Sequence, residues 1–375
     1  MNWINEAWEK AISKVTKSSE RIQDGFPYII ADGHKYSDKS DDPGWWTNGF
    51  WPGLLWIVYQ ATKDGKFRTY AEGVEKKLDN VLIDYDRVDH DAGFMWHLSS
   101  VTNFRLTGND RSRRRGLLAA SIMASRYNLK GGFIRAWHDI EGQPSRAGWA
   151  IIDCMMNLPL LYWASEMSED PRFRFIAQSH ADTTMREFIR PDGSVKHIVS
   201  FDPETGEMLD WFGGQGYDKN SSWSRGTAWA LYGFTLSYQY TGEQSYLDTA
   251  KKVANFFTAS LPDDYVPFAD FKAPEDTNIH KDTSAAACAA SGLLLLSSLV
   301  SENEKHTYKN AALKILKSLY ENYCCWDENY EALLKHGCVA YHFENETDVS
   351  LIYADYFFME ALAQLKGIKS LFSKY

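Results

Sequence analysis

"GFMWHLSSVTNFRLTGNDRSRRRGLLAASIMAS", residues 93–125, is the stretch on which the fold turns. Its first half is apolar and aromatic, its second half opens on Asp110 and four arginines, and "TGND" at 107–110 separates the two. A helix that is apolar all round is buried, whereas one with a charged face lies at a surface. Gly just after one helix and Asn just before the next are a stop and a start. The stretch therefore predicts a helical hairpin with an inner arm and an outer arm.

The same design recurs along the chain, with tight turns at "TKDGKF" (62–67), "SEDPRF" (168–173), "TGEQSY" (241–246) and "SENEKH" (301–306). Apolar spacing and these breaks predict twelve helices, near 2–20, 47–63, 66–82, 92–107, 109–127, 150–167, 171–189, 224–240, 244–260, 284–301, 304–323 and 349–366. Strand-like alternation is confined to short pieces such as "GSVKHIVSFD" at 193–202. A repeating hairpin cannot bury its apolar face alone and must stack on its neighbours. Six hairpins closing into a ring give an all-α fold, an (α/α)6 barrel, expected as a single domain over 1–375. The long connections 21–46, 83–91, 128–149, 190–223, 261–283 and 324–348 then gather at one end, where the starts of the inner helices converge on a cavity.

Composition narrows the partners. A formal charge of −10 gives no basic footprint for nucleic acid, although it does not bar a small anion from a locally basic pocket. The opening "MNWINEAWEKAISKVTKSSE" alternates apolar and charged residues at helical spacing and lacks a signal peptide's apolar core, and no window is apolar for the length of a membrane span. Five cysteines, an odd number without zinc-type spacing, suggest neither a disulfide framework nor a metal site and fit a reducing cytoplasm. Aromatic residues make up 15% of the chain, including 14 Trp and 21 Tyr, and such rings suit sugar stacking as well as cores. The expected state is a monomer or small homo-oligomer.

The unusual polar residues fall at the starts of the inner helices. Asp153 sits among Ile151, Ile152, Cys154, Met155 and Met156, so desolvation should raise its pKa and suit it to carry a proton. The alternative is an acid bonded to helix amides or paired with an arginine. Asp91, in "DHDAGFMW" at 89–96, reads either as a helix cap or as the second carboxylate of a pair of the kind that cleaves glycosidic bonds. Asp89 is the plainer cap, and His90 and His197 are candidate hydrogen-bonding groups. There is no HExxH or comparable spacing, and no metal or cofactor is expected. Trp137, in the loop "GGFIRAWHD", is a candidate stacking platform. Trp223 and Trp229 are six apart, so periodicity makes at most one of them core. Arg225 lies in a first helical turn, where a cation gains nothing from the helix dipole, and this implies an anionic partner, either a structural Asp or a substrate carboxylate.

Six blocks in order, "WWTNGFWPGLLW" (45–56), "DHDAGFMW" (89–96), "GWAIIDCMMNLPLLYWA" (148–164), "SSWSRGTAWALYGF" (221–234), "HKDTSAAACAASGLLLLSS" (280–298) and "DYFFMEALAQL" (355–365), resemble the bacterial unsaturated glucuronyl hydrolases of glycoside hydrolase family 88. The resemblance implies the (α/α)6 barrel and release of a 4,5-unsaturated glucuronic acid from the non-reducing end of oligosaccharides made by polysaccharide lyases. It implies that Asp153 protonates C4 of the vinyl ether and deprotonates the water that adds at C5, with Asp91 in support. No glycosyl-enzyme forms, so the carboxylate spacing rule for anomeric outcome does not apply. Trp46, His90, Trp137, His197, Gln215, Trp223, Arg225 and Trp229 match residues that line the family's sugar pocket. Asn48 stands where an aspartate occurs in the family, and it too is expected at the substrate.

Two further departures lie in loops. Gly214 stands where relatives carry a histidine, and "YHFENETDVSLIY" (341–353) lacks the Ser and Lys cluster associated with sulfate preference, which leans away from heavily sulfated fragments. The nearest rival activity is that of an unsaturated rhamnogalacturonyl hydrolase. A sugar epimerase or isomerase on the same barrel would need histidines such as His197, His280 and His342 at the cavity, and a non-catalytic sugar-binding protein would not need both carboxylates.

Overall fold

After α1 (Asn2–Ile22), four of the five tight turns follow one two-residue recipe. α2 (Phe50–Thr62) ends on Lys63 at φ 60°, and Asp64 then turns extended and accepts from the Lys66 N–H to open α3 (Gly65–Lys77). α4 (Thr102–Thr107) ends on Gly108 at φ 74°, and Asn109 accepts from the Arg111 N–H to open α5 (Asp110–Ser125). α6 (Cys154–Ser168) ends on Glu169 at φ 55°, and Asp170 accepts from Arg172 to open α7 (Pro171–Glu187). α8 (Ser224–Thr241) ends on Gly242 at φ 77° and leads through Glu243 into α9 (Gln244–Ala259). In each a left-handed residue reverses the chain and an extended residue follows, whose side chain caps the next helix in the first three turns but not at Glu243. α10 (Thr283–Leu299) and α11 (Glu302–Ser318) are joined instead through extended Val300 and Ser301, and α12 (Ile352–Leu365) closes the set.

The computed structural model describes residues 2–277 and 279–374, Tyr85 by its backbone alone. Within them the inner ring closes: α2 packs on the π-helical Gly93–Val101 that runs into α4, that rod on α6, then α8, α10, α12 and back to α2. α3, α5, α7, α9 and α11 each lie outside their hairpin partner, and α1 covers α12 and α2. This is the (α/α)6 barrel, with its apolar arms inside as their uniform burial requires. No described helix is long and apolar enough to cross a membrane.

The barrel axis is filled below the loop end. Phe50, Phe94, Trp229 and Phe357 are each 0% exposed, and their rings meet at 5.1 to 5.7 Å between centroids. Phe372, from the chain that follows α12, completes the stack beside Phe357 and His97.

Short strands brace the loop end. β1 (Ile29–Ile30) pairs with β7 (Ser350–Leu351), β2 (Tyr127–Asn128) with β3 (Phe133–Ile134), and β4 (Trp149–Ile151), β5 (Ile198–Phe201) and β6 (Met208–Phe212) form an antiparallel sheet in that order. Here three predicted boundaries move. The helix expected from 150 begins at Cys154, because β5 captures 149–151. The helix expected from 349 begins at Ile352, because β1 captures 350–351. The helix expected over 66–82 stops at Lys77, with a tighter 3-10 turn at Leu78–Ile83. The π-helical stretch is a fourth departure, and wide turns of this kind recur at functional sites. Gly93 opens it, and a Cβ there would lie 2.5 Å from the Asn157 Cα, so only glycine lets this rod close on α6.

Candidate active site

A cavity of about 430 Å3 opens at the loop end, and Asp91, Asp153, Trp46, His90, Trp137, Gln215 and Arg225 all line it. Its size suits a small ligand, for which cavities run roughly 300–1,000 Å3. The aromatic stack beneath Trp46 closes its floor. It is therefore blind.

Asp153 stands at the N-cap of α6 with helical dihedrals, φ −56° and ψ −31°, and its side chain caps nothing. Its Oδ2 is buried without a hydrogen-bond partner among the described residues, and His197 Nε2 lies 3.6 Å from it. Asp282, at the start of α10, is the contrast. At φ −126° and ψ 91° it accepts from the Ser284 and Ala285 amides, from the Ser284 hydroxyl and from Arg225 at 2.9 Å. One carboxylate is spent on structure and the other is idle in the cavity wall.

Asn157, one turn after Asp153, ties the two candidate carboxylates together. Its Nδ2 donates to Asp91 Oδ1 at 3.1 Å and to the Asp153 carbonyl at 3.2 Å, while its Oδ1 accepts from the Phe94 N–H at 2.7 Å. The i, i+4 spacing was visible in the sequence, but the reach across to Asp91 was not. Asp89 takes the local turn role, accepting the Asp91 N–H at 2.8 Å, which frees Asp91 from capping.

The Asp91 carboxyl is held well above the ordinary carboxylate range, first by burial and then by the charges of Asp89 and Asp153, against the Asn157 bond and Arg126. His90 donates from Nδ1 to the Ala136 carbonyl at 3.1 Å, so its Nε2 is a lone pair in the neutral ring. That nitrogen lies 3.3 Å from Asp91 Oδ1, an approach that attracts only with a proton between them. Asp89, His90 and Asp91 are also the grouping among the described residues whose ligand atoms, within 4.8 Å of one another, suit a metal ion.

The raised Asp91 has a consequence for stability. The unfolded chain gives up this proton near pH 3.9, whereas the folded protein keeps it to higher pH. Its contribution is full below that pH and is lost as pH rises toward the folded value. We expect the unfolding free energy of the wild type minus that of Asp91→Asn, measured by urea titration, to fall from about pH 4 upward at no more than about 1.4 kcal/mol per pH unit. A flat difference between pH 4 and 8 would contradict the assignment.

Four expected site residues do not line the cavity. Trp229 is core: it lies one helical turn below Arg225 on the same face of α8, packed on Phe94 and Phe357. Trp223 is also buried, correcting the expectation that at most one of the two is core, because it backs the wall 4.4 Å behind His197 and 4.5 Å from the Arg225 guanidinium. His197 sits between Trp223 and Asp153, its Nδ1 3.0 Å from the Gly213 carbonyl and 2.9 Å from the Gln215 N–H, so it is anchored as donor to the first or as acceptor from the second according to its tautomer. Gly214 permits this closure at φ 58°, where a Cβ would stand 2.1 Å from that Nδ1. Asn48 is scaffold: its Nδ2 donates to the Asp42 and Pro43 carbonyls and secures the loop that carries Trp45.

Arg225 resolves the alternatives left open for it. Fully buried, it pairs with Asp282 and also donates to the Cys338 and Val339 carbonyls, and it still forms part of the cavity wall. Gln215 Nε2 donates to the same Val339 carbonyl at 2.7 Å. Half-buried Trp46 and Trp137 keep ring surface at the cavity, Trp137 edge-on to His90 at 5.7 Å. Tyr28, Lys39, Trp45, Phe343 and Glu346 also line the wall and were not legible, because they come from loops without periodicity.

A ring of helical hairpins around a blind, aromatic-walled cavity with paired carboxylates defines a carbohydrate-cleaving enzyme on an (α/α)6 barrel. Similarity to known proteins narrows the class. The chain belongs to Glycosyl Hydrolase Family 88, whose sequence model matches residues 18–363. It is 34% identical to the unsaturated glucuronyl hydrolase of Bacillus sp. (strain GL1), over 96% of this chain and 97% of that protein. It is 32% identical to the unsaturated chondroitin disaccharide hydrolase of Streptococcus pyogenes serotype M1, over 96% and 90%. The solved structure of the Bacillus sp. GL1 unsaturated glucuronyl hydrolase superposes with a TM-score of 0.94 at 32% identity, covering 99% of both chains.

Proposed function

We propose that the enzyme releases 4,5-unsaturated glucuronic acid from the non-reducing end of short oligosaccharides left by polysaccharide lyases, acting by hydration of the C4=C5 double bond. The observation that carries this reading is the Asp153 carboxyl, buried in the wall of a blind cavity with one oxygen unpartnered and Asp91 beside it. The names of the relatives support the substrate class. In this scheme Asp153 starts protonated and delivers its proton to C4. The same carboxylate then takes a proton from the water whose oxygen bonds to C5. The hemiketal formed at C5 opens the ring, and the aglycone leaves with its oxygen protonated.

After burial and the charge of Asp89, the charge of Asp153 is a further influence that holds the Asp91 carboxyl above the ordinary carboxylate range. Asp91, clamped by Asn157 and facing His90, is the supporting member. The purified protein should bleach the ultraviolet absorbance of the conjugated unsaturated uronate with no metal or nucleotide added. Absorbance retained across a panel of lyase products would sink the reading. The epimerase alternative loses its basis, since neither His280 nor His342 lines the cavity and His342 is exposed. The five cysteines are free, which supports a reducing cytoplasm as its compartment.

A further inference from the structure

Arg126 follows α5, where a cation complements the negative end of the helix dipole and would ordinarily face water. Its N–H does close the helix, donating to the Met123 and Ala124 carbonyls, yet its side chain turns inward and the residue is only 6% exposed. The guanidinium lies between two of the long connections at the loop end. Nε donates to the Arg135 carbonyl at 3.0 Å, Nη2 to the Ala136 carbonyl at 2.9 Å and Nη1 to the Val88 carbonyl at 3.2 Å, with His138 Nε2 at 2.6 Å from the same Nη1. Buried carbonyls in irregular loops have no ladder to bond them, and here one planar fork of fixed donors serves three carbonyls from two segments.

Two of these carbonyls sit directly behind the site. Val88 precedes the Asp89–Asp91 triplet, and Ala136 precedes Trp137. The Ala136 carbonyl is the one that accepts from His90, from Nδ1 at 3.1 Å and from the backbone N–H at 3.4 Å, while the Ala136 N–H is pinned to the Trp149 carbonyl at 2.8 Å. Its two lone pairs therefore serve Arg126 and His90 together. The bond from Nδ1 decides which ring nitrogen carries the proton, and so leaves Nε2 as the lone pair 3.3 Å from Asp91 Oδ1. Trp137 stands edge-on to the same ring. If the Ala136 peptide shifts, His90 and Trp137 both lose their setting.

Resting on the activity proposed above, we infer that Arg126 is a positioning residue for the reaction, which through the Val88 and Ala136 carbonyls fixes His90 against Asp91 and Trp137 at the cavity wall. The residue itself does not line the cavity and acts from behind it. Its charge is felt at the Asp91 carboxyl, where it works against burial and the charges of Asp89 and Asp153. A lysine would keep that charge, but its single ammonium cannot meet carbonyls spread along the plane of a guanidinium.

Two readouts separate positioning from plain support of the fold. Arg126→Ala is expected to lower kcat on an unsaturated disaccharide about 10²-fold, the loss that a misplacement of about 1 Å can bring. Nitrogen NMR of the imidazoles reads the setting of His90 without turnover, its signal assigned by its loss in His90→Gln. Above about pH 8, where an imidazole is neutral, the wild type should carry the proton on Nδ1, and Arg126→Ala should let the other tautomer in. Urea midpoints record whether the variant is folded. If the alanine variant does not fold, Arg126→Lys, which keeps the charge and much of the bulk, carries the same two readings. A folded variant with kcat within about threefold of wild type, or with the His90 tautomer unchanged, overturns the inference. Failure of the wild type to consume any unsaturated disaccharide overturns the proposed activity instead, and the tautomer reading then stands apart from it.

Discussion

Asp153→Asn is expected to abolish turnover while leaving the fold and substrate binding in place. The carboxyl caps no amide, and its Oδ2 has no hydrogen-bond partner among the described residues, so the nearly isosteric amide removes no structural bond. Losing a general acid costs about 10²- to 10⁴-fold in rate. The loss here should lie at or beyond the upper end, because one group handles both the proton given to C4 and the proton taken from water. Steady-state kcat on an unsaturated disaccharide, calorimetric affinity and the urea midpoint together check the claim. A kcat within tenfold of wild type would remove Asp153 from the chemistry.

The largest effect on stability is expected from Arg225→Leu. This guanidinium is wholly buried, and its removal leaves the Asp282 carboxylate without its cation and the Cys338 carbonyl without its donor, while the Val339 carbonyl keeps only Gln215. Breaking a buried pair from one side costs about 3–5 kcal/mol, mostly as the penalty of an uncompensated charge. Arg225→Leu combined with Asp282→Asn should therefore recover part of the loss, because the charge is gone with its partner. Urea titrations of both single variants and the double variant read this directly. Strict additivity, or a single-variant loss below about 1 kcal/mol, would show that the pair is not the anchor of the cavity wall.

The two variants separate what a sequence reader can and cannot see. Both residues were singled out, Asp153 for its apolar neighbours and Arg225 for its misplacement at a helix start. The hairpin arms were legible because burial repeats every three or four residues and because Lys63–Asp64, Gly108–Asn109 and Glu169–Asp170 announce their turns locally. Trp229, expected at the pocket from the family likeness, lies in the core, since periodicity gives the face of a helix but not the depth at which the cavity floor lies. Asn48 stands before an inner helix as expected, yet its amide is spent on the loop at Asp42 and Pro43. Tyr28, Lys39, Phe343 and Glu346 left no pattern, since their loops meet only after the barrel closes.

The sequence by itself determined the helices, their inner and outer arms, the ring they form and the acids at the inner helix starts, because helix formation and capping are set by neighbours a few residues away. Only the tertiary structure decided which acid was free to act. Asp153 and Asp282 occupy the same position on their helices, but pairing of residues 149–151 with β5 delivers Asp153 in helical dihedrals that cannot cap. Asp282 is delivered extended, and its carboxylate is consumed by amides and by Arg225.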